Sequence, residues 1–258
     1  MPATDLALIV EAVREAGGIA TNYAGTSQQI WNKPGGAGPV TEADLAVNDH
    51  LMDVLRRARP DYGWLSEETE DDTERLSRRR VFIVDPIDGT RSFVDGSRTW
   101  AHSVAVAENG IVTAGAVYLP QRDLLYTAAL GQGAWLNGVP LKVSMNEHIE
   151  GAQVLATKPV TAPEHWPEGL PPFERSHRPS LAYRLGLVGQ GRFDAMLTFR
   201  PTWEWDVAAG AAIVSEAAGV CTTRKGAQVK FNNPTPQIDG FVAGGPGMHR
   251  ALMNALGN

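Results

Sequence analysis

The chain has 258 residues, enough for one large domain or two modest ones to bury a core without covalent staples. Its 43% hydrophobic and 20% charged content excludes a disordered or fibrous chain, and a single cysteine, Cys221, excludes both an intrachain disulfide and a cysteine-rich metal cage. A net charge of −6 argues against general nucleic-acid binding, and an anionic substrate would need bound cations to draw it in.

The start carries Asp5 and Glu11 and lacks a basic stretch followed by an apolar run, so no signal peptide is expected. No apolar stretch approaches the roughly 18 residues that cross a bilayer. A soluble, cytoplasmic protein with no membrane partner is the expectation. Leu6, Ile9, Val10 and Val13, followed by residues 16–20, recur at helical spacing, predicting an amphipathic helix over residues 4–28. Residues 31–39, rich in Gly and Pro, are expected to be irregular, after which Thr41 reads as the cap of a second helix reaching about Arg57. Short apolar runs at 62–65 and 81–84 read as strands, and each leads into carboxylates.

From residue 100 to 136 the pattern is strand-like, with strands at 103–107 and 112–119 flanking the turn dipeptide Asn109-Gly110; Asn137-Gly138 repeats the signal. Beyond it come a strand near Val154, a helix at 180–189, a strand at 193–199 and a helix at 205–218 closed by Gly219. Strands near Val220 and Phe241 and a helix from Met248 complete the chain. The Pro-rich residues 159–179 read as a surface connection.

The densest chemical signal is the run from Val81 to Thr90, Val-Phe-Ile-Val-Asp-Pro-Ile-Asp-Gly-Thr. A buried strand delivers Asp85 at its end, Pro86 stiffens the exit, and Asp88 follows after a short turn. Two carboxylates and the carbonyls between them can then converge, as a hard divalent cation requires. Gly89 permits close backbone approach, and Thr90 begins a helix whose first amides favour a phosphate.

Asp85-Pro86-Ile87-Asp88-Gly89-Thr90, with Ser92-Phe93 after it, resembles the signature of the inositol monophosphatase superfamily. Ser66-Glu67-Glu68 is similar to the family's upstream acidic motif, Trp205-Asp206 with residues 207–210 to its C-terminal signature, and residues 40–44, ending at Asp44, to its N-terminal motif. Each acid alone has an ordinary explanation as a solvated edge, a helix cap or a first-turn carboxylate. Four motifs in the family's order, spanning Thr41 to Gly210, do not.

The resemblance implies α+β and α/β architecture in alternating layers of helices and sheets (αβαβα), with residues 1–137 as a metal-binding half and 138–258 as a half carrying specificity contacts. It implies two or three Mg²⁺ ions. Glu67, Asp85 and the carbonyl of Ile87 would hold the first, and Asp85, Asp88 and Asp206 the second. An attacking water would be oriented by Thr90 with Asp44, and the amides of Gly89 and Thr90 would bind the phosphate. Li⁺ sensitivity and a homodimer are further implications.

Crowded carboxylates repel unless cations or protons neutralise them, which independently predicts metal occupancy. Lys33, eleven residues before Asp44, matches the spacing of the family's loop lysine or is a solvated surface lysine. Inositol-selective relatives carry a Glu seven residues before the Trp-Asp aspartate; here that position is Phe199, which cannot accept hydroxyl hydrogen bonds. Residues 201–206 instead resemble the Pro-Thr-x-x-Trp-Asp form of the 3′(2′),5′-bisphosphate nucleotidase branch. Arg184, assisted by Arg178 or Arg200, could pair with a second phosphate, and Phe199, Trp203 or Tyr183 could stack an adenine. The small phosphorylated substrate favoured is adenosine 3′,5′-bisphosphate, ahead of inositol 1-phosphate and histidinol phosphate. A regulatory or RNA-polymerase-associated role is the alternative of a different class, with Arg78-Arg79-Arg80 as the dense basic run such a partner would use.

Overall fold

Every residue from Val81 to Asp88 is buried, so both faces of this strand must be covered, and the rest of the architecture supplies the covers. The computed structural model describes residues 4–26, 29–32 and 38–257. Helices α1 (Asp5–Tyr23) and α2 (Glu42–Ala58) pack together as the first layer. Thr41 caps α2 as expected, in a capping box with Asp44. The first helix is shorter than its periodicity suggests: Ala24 turns extended and its N–H returns to the carbonyls of Ala20 and Thr21.

Between the two helices, β1 (Ile30–Asn32) pairs antiparallel with β2 (Pro39–Thr41), Trp31 opposite Val40. At residues 31–32 and 39 this corrects the expectation of irregular chain, because a short edge pairing tolerates the flanking proline and glycine; residues 33–37 lie outside the described residues. Lys33 lies outside the described residues.

The second layer is a seven-stranded sheet in chain order: β3 (Gly63–Ser66), β4 (Arg80–Asp88), β5 (Ala101–Glu108), β6 (Ile111–Leu119), β7 (Leu124–Ala129), β8 (Ala134–Leu136) and β9 (Val139–Pro140). β3 and β4 are parallel and the others antiparallel. The short helix α3 (Thr90–Val94) follows β4. Phe82 and Val84 share a core with α1 and α2, whereas Val81 and Ile83 join the core on the other face. Burial of each such side chain contributes about 1.5–3 kcal/mol.

A five-stranded sheet follows, containing β10 (Gln153–Ala156), β11 (Glu174–Ser176), β12 (Ala195–Trp203), β13 (Val220–Thr222) and β14 (Gln237–Gly244) in the order β11-β10-β12-β14-β13. Helices α4 (Leu181–Gly189) and α5 (Glu204–Glu216) lie between the sheets, and α6 (Pro246–Ala255) packs on β14 outside. The layers therefore run helix, sheet, helix, sheet, helix, as the resemblance implied. β11 corrects the reading of residues 159–179 as connection only: it pairs parallel with β10, and Arg175 Nη1 donates to the Ala156 carbonyl at 3.0 Å. The central helix approaches the sheet closely at Gly115, where a Cβ would lie 2.9 Å from the Ala209 carbonyl oxygen.

Candidate active site

The end of β4 presents Asp85 opposite Ser103 and Asp88 opposite Ala101. Glu67 directly follows β3, and its N–H donates to the Val84 carbonyl at 3.1 Å, which continues the parallel pairing and brings this acid alongside Asp85. Asp206 arrives from the first turn of α5. Two contacts fix that helix start. Ser103 Oγ donates to the Trp205 carbonyl at 3.1 Å, tying α5 to the strand beside Asp85. Buried Glu204 accepts hydrogen bonds from the backbone N–H groups of Asn232 (2.6 Å) and Asn233 (2.9 Å), and buried Arg75 grips the same loop through Asn232 Oδ1 and the Asn233 carbonyl. Carboxylate oxygens of Asp85, Asp88 and Asp206 consequently lie within 4.8 Å of one another.

Such crowding has an electrostatic signature. Asp85 Oδ1 is buried without a hydrogen-bond partner among the described residues, and burial, then the charges of Glu67, Asp88 and Asp206, push its carboxyl well above the usual range. Burial also raises Asp88, opposed by donation to its Oδ2 from Ser180 Oγ at 2.7 Å and the Ala182 N–H at 2.6 Å. Asp44 rises to about 6, mainly through burial, although the Thr41 hydroxyl (2.6 Å), the Thr41 N–H (2.8 Å) and the Thr90 hydroxyl (3.1 Å) all donate to it. An uncompensated buried carboxylate cluster is strongly unfavourable, and a proton or a cation must relieve it. The donors are all oxygens, one of them orphaned, which fits a hard divalent cation.

The acids line one wall of an open cleft of about 810 Å³, together with Ile87, Gly89 and Thr90. Gly89 takes φ +96° at the entrance to α3, a conformation that disfavours any side chain. The same cleft is lined by His177, Arg184, Arg200 and the indoles of Trp203 and Trp205, stacked with centroids 4.8 Å apart and planes 8° from parallel. Arg184 donates from Nε to the Arg178 carbonyl and from Nη2 to His177 Nε2 at 2.8 Å, so that imidazole nitrogen is an acceptor. Burial lowers the Arg184 guanidinium to about 10, with Asp88 and Asp206 opposing the change and Arg200 adding to it. Arg200 Nη2 stands 3.9 Å from Asp206 Oδ2.

The residues singled out from sequence therefore fall into three groups. Asp44, Glu67, Asp85, Ile87, Asp88, Gly89, Thr90, Arg184 and Asp206 come together around the cleft, with Asp44 joined through Thr90. Phe199, Tyr183 and Arg178 do not line it. Phe199 belongs to the outer core with Leu197 and Trp166, Tyr183 is buried beside Tyr126, and the Arg178 guanidinium lies over Phe193. A register shift in the β12–β14 pairing between Thr198 and Pro201 leaves Arg200, rather than Phe199, on the cleft. The basic run at 78–80 is tied to acids: Arg78 to Glu74, Arg79 to Glu108, and Arg80 to Asp5 and Glu108. His177, Ser103 and Glu204 were not singled out, since isolated polar residues carry no motif.

An oxygen-lined acidic pocket on a layered α/β frame, sharing its cleft with basic side chains, defines a metal-dependent phosphoester-cleaving class of protein. The chain belongs to the inositol monophosphatase family, whose model matches residues 2–256. Its members are Mg²⁺-dependent phosphoric monoester hydrolases, and this chain is such an enzyme. It is 31% identical to an inositol-1-monophosphatase of Mesorhizobium japonicum (97% of this chain, 95% of the relative) and 31% identical to a histidinol-phosphatase of Chlorobaculum parvum (98% and 97%). Among solved structures, an IMPase of Thermotoga maritima superposes with TM-score 0.83 at 28% identity, covering 98% of this chain and 96% of that one. Among the described residues no helix is long and apolar enough to cross a membrane.

Proposed function

We propose that the enzyme removes the 3′-phosphate of adenosine 3′,5′-bisphosphate. One observation carries this reading: the acidic triad, Arg184, Arg200 and a stacked indole pair line a single cleft. The acids suit cations beside the scissile phosphate, the two guanidinium groups suit a second phosphate, and the indole of Trp203 suits an adenine ring. The relatives' names point to inositol 1-phosphate and histidinol phosphate; neither compound carries the second anion that would use both arginines.

In this reading Glu67, Asp85 and the Ile87 carbonyl would hold one Mg²⁺, and Asp85, Asp88 and Asp206 would hold another. Bound there, the ions would neutralise phosphoryl charge and acidify water. Thr90 Oγ1, 3.1 Å from Asp44 Oδ1, orients the attacking water, and the buried Asp44 carboxylate receives its proton. The amides opening α3 grip phosphoryl oxygens, and their dipoles stabilise charge as it develops. Arg184, held rigid by His177 and the Arg178 carbonyl, positions the distal phosphate at small entropic cost. The functional unit is a cytoplasmic homodimer inhibited by Li⁺.

The test is a Mg²⁺-dependent phosphate-release panel comparing adenosine 3′,5′-bisphosphate, inositol 1-phosphate and histidinol phosphate by kcat/KM. The bisphosphate should lead by tenfold or more, about 1.4 kcal/mol. A lead by either monophosphate overturns the assignment.

A further inference from the structure

The strand pair that presents the acids is interrupted at one place. Asp85 stands opposite Ser103 and Asp88 opposite Ala101, so Pro86 and Ile87 together face the single residue His102. Proline has no N–H to offer, and a buried carbonyl at such an irregularity needs a donor from elsewhere. His102 supplies it. The imidazole is fully buried, and Nδ1 lies 2.5 Å from the Pro86 carbonyl oxygen. A carbonyl only accepts, so the proton resides on Nδ1 and Nε2 is a bare lone pair, buried without a partner among the described residues.

The ring is held in that pose from the side. His102 meets Trp100 at 5.5 Å between centroids with planes 75° apart, and Trp100 in turn meets Phe93 of α3 at 5.0 Å and 84°. In the next peptide unit, the Ile87 carbonyl lies 3.1 Å from Thr90 Oγ1, a hydroxyl that is also 3.1 Å from Asp44. The Pro86 carbonyl and the Ile87 nitrogen share one rigid plane. Anchoring the carbonyl therefore sets the backbone from which both Ile87 and Asp88 depart.

We propose that His102 is a positioning residue for the cation site: by donating from Nδ1 to the Pro86 carbonyl, it fixes the Pro86–Ile87 peptide and with it the aim of the Ile87 carbonyl and the Asp88 carboxylate. This rests on the reading of Glu67, Asp85, Ile87, Asp88 and Asp206 as cation ligands. Outer partners of this kind typically change metal affinity by about 10–100-fold.

Three variants of the full chain separate the donor from the volume. His102→Asn places an amide N–H near the position of Nδ1, His102→Gln carries its amide further out, and His102→Leu fills space without any donor. Mn²⁺ binding to metal-free protein, followed by calorimetry, is the primary readout, with thermal midpoint and the Mg²⁺ dependence of phosphate release alongside. We expect His102→Leu and His102→Gln to weaken Mn²⁺ about tenfold, and to raise the Mg²⁺ needed for half-maximal release equally, with kcat at saturating Mg²⁺ within about twofold. His102→Asn should recover most of the affinity.

If His102→Leu does not fold, the Asn and Gln pair carries the same contrast. Wild-type-like Mn²⁺ binding in Gln and Leu, or equal weakening in all the variants in step with lost thermal stability, overturns the positioning role while leaving the cation site standing. A wild-type protein that binds no Mn²⁺ overturns the cation site, and the positioning role with it.

Discussion

The acidic and basic groups of the cleft both lose solvation on burial, but they differ in how they are partnered. On the acidic wall, Asp85 gains little from its neighbours: burial and three other carboxylates raise its affinity for protons, and one of its oxygens has no partner among the described residues. In the basic part of the cleft, Arg184 is also penalised by burial, but its Nε is held by a backbone carbonyl, its Nη2 by His177, and Asp88 and Asp206 favour its charge. The first arrangement stays poised until a cation enters. The second is already preorganised and waits for an anion. In the proposed reading, chemistry belongs to the acids that lack partners, and choice of substrate to the guanidinium already hydrogen-bonded in place.

The sharpest way to break this division is Asp88→Asn. Ser180 and Ala182 can still be partnered by the amide oxygen, so the fold should persist, while phosphate release at saturating Mg²⁺ should fall by about a thousandfold. Near-wild-type turnover would mean that the tension on the acidic wall has no catalytic use.

A second test reads the tension directly. In metal-free protein the Asp44 carboxyl titrates near 6, against 3.8 ordinarily, so between those values the native state holds more protons than the unfolded chain. Stability must then fall as pH rises through that window, by roughly 3 kcal/mol for this group alone. Asp85 shifts in the same direction and adds to it. Thermal midpoints of chelator-treated protein should decline from pH 4 to 7, and Mg²⁺ should restore more at pH 7 than at pH 4.5. A flat profile would remove the charge-loading argument.

The middle layer that holds the walls in register can be tested next. Gly115→Ala would drive a methyl group into the Ala209 backbone, and urea denaturation should show a loss of about 2 kcal/mol. The smallest effect is expected on the basic wall. Arg200→Ala should raise KM for adenosine 3′,5′-bisphosphate by about tenfold and leave inositol 1-phosphate nearly unaffected, because an exposed guanidinium contributes modestly. An equal effect on both substrates would return Arg200 to general electrostatics.

Much of the acidic wall was legible before any coordinates, for a local reason. Asp85, Ile87, Asp88, Gly89 and Thr90 form one run, and a strand that ends in a turn and a helix start delivers them together whatever the rest of the chain does. The basic wall was legible only in part. Arg184 was found, but counting seven residues back from Asp206 led to Phe199, and the register shift before Pro201 hands the cleft to Arg200 instead. The β1–β2 pairing was hidden because Gly and Pro dominate its surroundings, and propensity says nothing about which edges meet.

The order of most strands and helices (though not β1, β2 and β11), the carboxylates that crowd together and the glycine at the entrance to α3 were determined by the sequence itself, since each depends on periodicity or on residues adjacent in the chain. Only the tertiary structure decided that Glu67 and Asp206 reach Asp85, that Ser103 and Glu204 hold α5 against the sheet, and that His102 donates to the Pro86 carbonyl. Those contacts join residues far apart in the chain, and their geometry exists only once both sheets close on the helices between them.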